Sequence, residues 1–250
     1  MTMDDILSLQ NGGFLSYRRN AGSKPVEIVF MHGTLSDKNA SKSLFLEDFC
    51  RKNEIGFTAF DFIGHGESSG KYTDGTIGIW RDNALEIIDR LTTGKLILVG
   101  SSMGGWIALL AAEARPDRVS AVVGMAAAPD FTTDLWKSFS KEQKKDIREK
   151  GVIYTPNGWT EEGDPWTLAL FKDAKKHLLL KGKDSLNIRC PITLLHGGKD
   201  DCVPVKTAFG IMECAKSENV KIVVLKNSGH RLSEPHELSV LEKELLALLV

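Results

Sequence analysis

KLILVGSSMGGWIALLAA, residues 95–112, joins two apolar runs through a glycine-rich turn. Leu96, Ile97, Leu98 and Val99 suit a strand buried on both faces, and the run from Trp106 suits a helix. Between them, Gly100-Ser101-Ser102-Met103-Gly104 fits G-x-S-x-G in the strand–turn–helix context where that pattern carries chemistry. A serine at the apex of so sharp a turn needs a strained backbone, and Gly100 and Gly104 remove the Cβ atoms that would collide there. Ser102 then presents its Oγ with a helix N-terminus behind it, where developing negative charge is stabilised. Gly66-Glu67-Ser68-Ser69-Gly70 matches the same pattern but leads into polar Lys71-Tyr72-Thr73-Asp74-Gly75. With no helix to close the turn, Ser68 reads as a loop or capping serine. Ser101 lacks flanking glycines in that frame, which leaves Ser102 as the candidate nucleophile.

The 250 residues carry 32 Lys+Arg against 33 Asp+Glu, a formal net charge of -1 that argues against a nucleic-acid footprint. A hydrophobic content of 42% is ordinary for a globular chain of one large domain, or a domain with a small insertion. No run approaches the roughly 18 consecutive apolar residues of a membrane span. The opening MTMDDILSLQ shows neither a basic export signal nor an Arg-rich presequence. Cys50, Cys190, Cys202 and Cys214 form no CxxC and no metal-ligand spacing, and read as reduced thiols. A cytoplasmic location is therefore expected. No segment announces an interface, so the oligomeric state is open.

Outward from residues 95–112, strands are expected over residues 14–19, 26–31, 56–62 and 119–125, with helices over 41–53 and 76–91 between them. The resulting β-α-β-α-β-α-β order predicts an α/β fold with a mostly parallel, doubly wound sheet of about eight strands. The order breaks after the sixth strand. Residues 130–187 contain no strong strand but helical stretches over 132–139, 141–150 and 166–180, punctuated by Pro156, Gly158, Gly163 and Pro165. They are read as a small helical cap, inserted into a core of residues 1–129 and 188–250. Trp136, Trp159 and Trp166 lie in it with Phe131, Leu135, Phe139, Leu168 and Phe171, supplying packing onto the sheet and an apolar lining. Lys141-Glu142-Gln143-Lys144-Lys145 alternates charge like a solvated helix face. Strands resume at 192–195 and 220–225, with helices over 205–217 and 236–250.

A serine hydroxyl needs a base, and the base needs a carboxylate to fix its tautomer and stabilise its charged form. Asp200 and His230 follow Ser102 in the chain order of one known arrangement, and each sits in a loop after an expected parallel strand. All three therefore share one sheet edge. Asp201 and Asp130 compete weakly for the acid. Among the other histidines, His65 sits in a tight glycine loop, His196 ends a strand, and His177 and His236 fall on expected helices. His32-Gly33-Thr34-Leu35 follows another central strand, so the Thr34 or Leu35 N–H is a candidate oxyanion donor beside that of Met103. No HExxH or related spacing argues for a metal, and no cofactor is expected.

These motifs resemble those of the α/β-hydrolase-fold serine hydrolases over nearly the whole chain. The resemblance rests on Phe60-Asp61, Gly64-His65-Gly66-Glu67-Ser68-Ser69-Gly70, Trp80-Arg81-Asp82, Gly100 to Trp106, and Leu195-His196-Gly197 through Pro204. Within them the chain is similar to the subfamily of mitochondrial palmitoyl-protein thioesterases and acyl-glucuronide esterases, with its bacterial relatives. The resemblance implies Ser102, Asp200 and His230 as nucleophile, acid and base acting on acyl esters or thioesters, carried by a small molecule or an acylated protein. The same groups also serve amide or carbon–carbon hydrolysis in that fold. A ligand-binding receptor with a vestigial site is the reading outside enzymes. Ser102 at the turn disfavours a dehalogenase, which needs a carboxylate there.

Overall fold

The computed structural model of the chain describes residues 5–10, 12–157 and 161–249. Expectations that involve Gly158, Trp159 or Val250 lie outside the described residues. The first half runs β1 (Asp5–Ser8), β2 (Phe14–Asn20), β3 (Val26–Met31), α1 (Ser41–Lys52), β4 (Gly56–Phe60), α2 (Ile77–Leu91), β5 (Lys95–Ser101), α3 (Met103–Ala114) and β6 (Val119–Met125). An insert follows, with α4 (Phe131–Ser138), α5 (Lys141–Lys150), β7 (Val152–Thr155), β8 (Asp164–Thr167) and α6 (Leu168–Ala174). The chain closes with β9 (Ile192–Gly197), α7 (Lys206–Cys214), β10 (Val220–Leu225) and α8 (Pro235–Leu248).

Eight strands form one sheet in the order β1-β2-β4-β3-β5-β6-β9-β10. Only β2, against β1 and β4, pairs antiparallel. The central strands are apolar without a break because both of their faces are covered. Ile28, Phe30, Ile97, Val99, Ala121 and Val123 pack with Leu46 and Phe49 of α1 and Leu241 and Leu245 of α8. The alternate residues Val29, Met31, Leu96, Leu98 and Val122 pack with Trp80 and Ile87 of α2 and Trp106 and Ile107 of α3 on the opposite face. This is the α/β-hydrolase architecture expected from the motifs.

β3 lies between β4 and β5, so the direction of winding reverses beside it. In open α/β sheets the crevice beyond the strand ends at such a reversal is where ligands bind. Register brings those ends level: Met31 pairs with Gly100, and Gly100 with Gly124.

Three local expectations need correction. β1 is a further edge strand, four residues long with Leu7 alone buried, too short to carry a periodic signal. The insert holds a two-stranded antiparallel hairpin, β7–β8. Pro165 lies within β8, a position tolerated at a sheet edge. The helix expected over residues 166–180 shrinks to α6, because Trp166 belongs to β8 and the Thr167 side chain caps the helix through the Leu170 N–H at 3.1 Å. His177 therefore lies beyond the helix.

Candidate active site

Ser102 follows β5 immediately and stands at the N-cap of α3 with φ 53° and ψ -119°, a conformation costly for any side-chain-bearing residue. Hydrogen bonds on both sides hold it there. Its N–H donates to Met125 O at 2.9 Å, and its carbonyl accepts from Gly105 N at 2.9 Å and Ala128 N at 3.0 Å. A Cβ on Gly104 would lie 2.1 Å from Met31 O and 2.5 Å from His32 O, so only glycine lets α3 start hard against the end of β3.

Asp200 and His230 come from the loops after β9 and β10, which interlock. Lys199 N donates to Ser228 O at 2.9 Å and Gly198 N to Leu225 O at 2.8 Å. A Cβ on Gly197 would lie 2.4 Å from Gly229 O. That contact sets His230 Nδ1 at 2.9 Å from Asp200 Oδ2 and 3.1 Å from Oδ1. On the other side of the ring, His230 Nε2 lies 3.1 Å from Ser102 Oγ. Ser102, His230 and Asp200 thus form one hydrogen-bonded line. The Asp200 side chain is fully buried and that of His230 is 24% exposed, so the acid end is dry and the base end meets solvent.

Asp200 also accepts from the Cys202 and Val203 amides at 2.9 and 2.8 Å, and His196 Nε2 stands 3.4 Å from its Oδ2. Burial alone would raise the carboxyl's pKa. Hydrogen bonds from His196, His230 and the Val203 amide outweigh it and hold the group well below the ordinary carboxylate range. Asp200 is therefore an anion beside His230 throughout the neutral range. His196 was expected as a buried strand-end residue; it is buried, and its Nε2 lies 2.8 Å from Val203 O, in the loop that wraps the acid.

Gly33 to Ser36 form a turn closed by Ser36 N to Gly33 O at 3.3 Å, with Leu35 at φ 53°. The turn packs against the serine, since a Cβ on Gly33 would lie 3.2 Å from Ser102 Cβ. Among the described residues the Thr34 and Leu35 amides have no hydrogen-bond acceptor. The Met103 N–H, in the first turn of α3, has none within its own helix. The turn is anchored from behind by a group that sequence reasoning missed. Lys38, fully buried, places Nζ 3.0 Å from Asp61 Oδ2, itself fully buried, and 2.6 Å from Glu67 Oε2. The Asp61 carboxylate also accepts from the Lys38 and Glu67 amides at 2.6 and 2.9 Å.

The weaker candidates fall elsewhere. Asp130 spends both carboxylate oxygens on the Leu179 and Leu180 amides, each at 2.9 Å. Asp201 is exposed and accepts from Cys202 Sγ. Ser68 pins a loop, donating to Asp61 O at 2.6 Å and accepting from Ser16 N at 2.9 Å. Asp200, Cys202 and His230 do bring three possible metal-ligand atoms within 4.8 Å of one another. However, the Nδ1 of His230 is aimed at the carboxylate itself, so no direction is left for an ion between them.

His65 packs edge-on or tilted against His32, Tyr72 and Trp80 at ring-centroid distances of 4.9, 5.1 and 5.3 Å. Burial lowers the His32 pKa to about 4, and burial with the neighbouring His32 lowers that of His65 to about 3. Both rings are neutral in the fold, whereas an unfolded histidine takes up a proton near pH ~6.5. Their contribution is therefore complete above that pH and is lost as pH falls from there toward 4 and 3. Urea titrations of a His65→Leu variant should show a stability-versus-pH slope shallower than wild type by about 1.4 kcal/mol per pH unit between pH ~6 and ~4. Parallel slopes would mean that His65 is protonated in the native state.

A sheet of this topology with a serine at the β5–α3 turn defines a class, and residues 28–240 match the alpha/beta hydrolase family. The chain belongs to that family and is an enzyme of the hydrolase class. It is 39% identical over 228 residues to the human protein named palmitoyl-protein thioesterase ABHD10, mitochondrial, covering 91% of this chain and 74% of that one. The mouse alpha/beta hydrolase domain-containing protein 10 superposes with a TM-score of 0.90 at 33% identity, covering 99% of this chain and 98% of that one. A protein from Agrobacterium vitis S4 superposes with a TM-score of 0.93 at 28% identity, covering 100% of this chain and 99% of that one. No described helix is long and apolar enough to cross a membrane.

Proposed function

We propose that the chain is a serine hydrolase of acyl esters and thioesters, working through an acyl-enzyme on Ser102. The observation that carries this reading is the hydrogen-bonded line Ser102–His230–Asp200 at the strand ends. As Ser102 Oγ attacks the acyl carbonyl carbon, His230 Nε2 takes its proton. Asp200 holds the ring's tautomer and stabilises the imidazolium. The tetrahedral oxyanion is met by the Met103 N–H and by that of Thr34 or Leu35. His230 then protonates the departing alkoxide or thiolate as the C–O or C–S bond breaks. Water deacylates the serine by the same route, releasing a carboxylic acid.

Residues 130–187 serve in this reading as a cap over a core of residues 1–129 and 188–250. A cytoplasmic location is the accompanying proposal. The names of the ABHD10 relatives favour a thioester of a long acyl chain as the substrate to try first.

The test is a matched series of acyl thioesters and oxygen esters, short to long, with fluorophosphonate labelling of the folded protein alongside. Ser102 should label with one probe per chain, and turnover should disappear when it is labelled. Labelling without turnover across the series would shift the reading to amide or carbon–carbon bonds. Absence of labelling would end the serine-hydrolase reading altogether.

A further inference from the structure

Between α4, α5 and α6 a cavity of about 850 Å³ opens to solvent, a size that suits a small-molecule ligand. None of Ser102, Asp200 and His230 lines it. Its apolar floor holds Trp136 and Phe171, their ring centroids 5.1 Å apart, with Leu168 and Leu178 beside them. Its charged lining comes from three helices and is of one sign: Lys137, Arg148, Lys172 and Lys175, with no carboxylate among the lining residues. Over the whole chain, by contrast, acidic and basic residues are balanced, 33 against 32. Arg148 lies over the Trp136 ring at 5.5 Å, and Lys137 pairs with Asp134 at 2.9 Å. Among the described residues Lys172 and Lys175 make no ion pair.

We propose that this groove binds a monomeric single-chain anionic amphiphile, a fatty-acid carboxylate or an alkyl phosphate. Its hydrocarbon chain lies on Trp136 and Phe171, and its head group lies on Lys172 and Lys175. Each half of the groove selects one half of such a molecule. A neutral chain would use the floor and leave the cations facing one another. A small inorganic anion would use the rim and leave the aromatic floor in water. The apolar surface is recessed below a charged rim, so it takes up one chain rather than pressing onto a bilayer. The site stands whether or not Ser102 is the nucleophile.

The test uses the full chain carrying Ser102→Ala, with dodecyl phosphate and dodecyltrimethylammonium below their micelle concentrations, followed by calorimetry. Dodecyl phosphate should bind one per chain and at least about tenfold more tightly than the cation, a gap equal to about 1.4 kcal/mol. Adding Lys172→Gln and Lys175→Gln should weaken dodecyl phosphate about tenfold, and Lys172→Glu with Lys175→Glu should reverse the preference. The milder pair keeps the comparison available if the charge reversal unfolds the insert. Equal binding of anion and cation overturns the proposal. So does dodecyl phosphate binding untouched by the Gln pair, which would put the ligand at another site. Co-sedimentation with phosphatidylglycerol vesicles, without binding of the monomer, would assign the groove to a bilayer instead.

Discussion

Ser102→Ala should lower kcat/KM for any ester or thioester the enzyme turns over by on the order of 10⁴- to 10⁶-fold, with the thermal unfolding midpoint little changed. The size follows from what the hydroxyl does. On the proposed mechanism no acyl-enzyme forms without it, which leaves water attack helped by the amide donors and by binding. The small effect on stability is expected because the Ser102 backbone, rather than its side chain, makes the contacts to Met125, Gly105 and Ala128. Asp200→Asn should cost about 10⁴-fold by a different route, presenting the wrong hydrogen-bonding partner to His230 Nδ1. Steady-state rates for both variants on one substrate decide the matter. A Ser102→Ala enzyme within tenfold of wild type would place the nucleophile elsewhere.

Lys38→Met should be the most damaging single change outside that line of three. It leaves the fully buried Asp61 carboxylate without its cation, a loss of roughly 3–5 kcal/mol for a broken buried pair. For a chain of this size that corresponds to a fall of roughly 6–20 °C in Tm. Activity should suffer as well, because the turn carrying the Thr34 and Leu35 amides is tied down through Lys38 N to Asp61 Oδ1. The double change Lys38→Met with Asp61→Asn should recover part of the stability, since it removes the stranded charge, without restoring the turn to its full rate. Calorimetry on the two variants separates the outcomes. A Lys38→Met melting point equal to that of wild type would show the pair to be open to water in solution.

The difference between these two sites explains what was legible before the structure. The placement of Ser102 was legible because its local sequence repeats its tertiary setting: a both-faces-buried strand, two obligatory glycines and a helix start all lie within a few residues. Asp200 and His230 were legible because a parallel sheet puts every strand-following loop on one edge. Lys38 and Asp61 carry no such local mark. They meet across 23 positions of chain, and Lys38 sits among Ser36, Asp37, Asn39 and Ser41, a setting that reads as solvent. The β7–β8 hairpin was hidden for a related reason. Its strands are four residues each, one contains a proline, and Trp166 continues the apolar spacing of α6 closely enough to pass for its first turn. His196 escaped as a neighbour of Asp200 because its burial in β9 was explanation enough for it.

The interlocked loops after β9 and β10 have a consequence for how the molecule is born. Ser102 belongs to the part of the chain synthesised before the insert, whereas Asp200 and His230 belong to the part synthesised after it. β10, whose following loop carries His230, pairs only with β9 at the rim of the sheet among the described residues. A nascent chain that has folded as far as β6 therefore displays its serine without a base beside it. On the proposed mechanism, the last strand of the sheet to be synthesised is also the one that brings the serine its base.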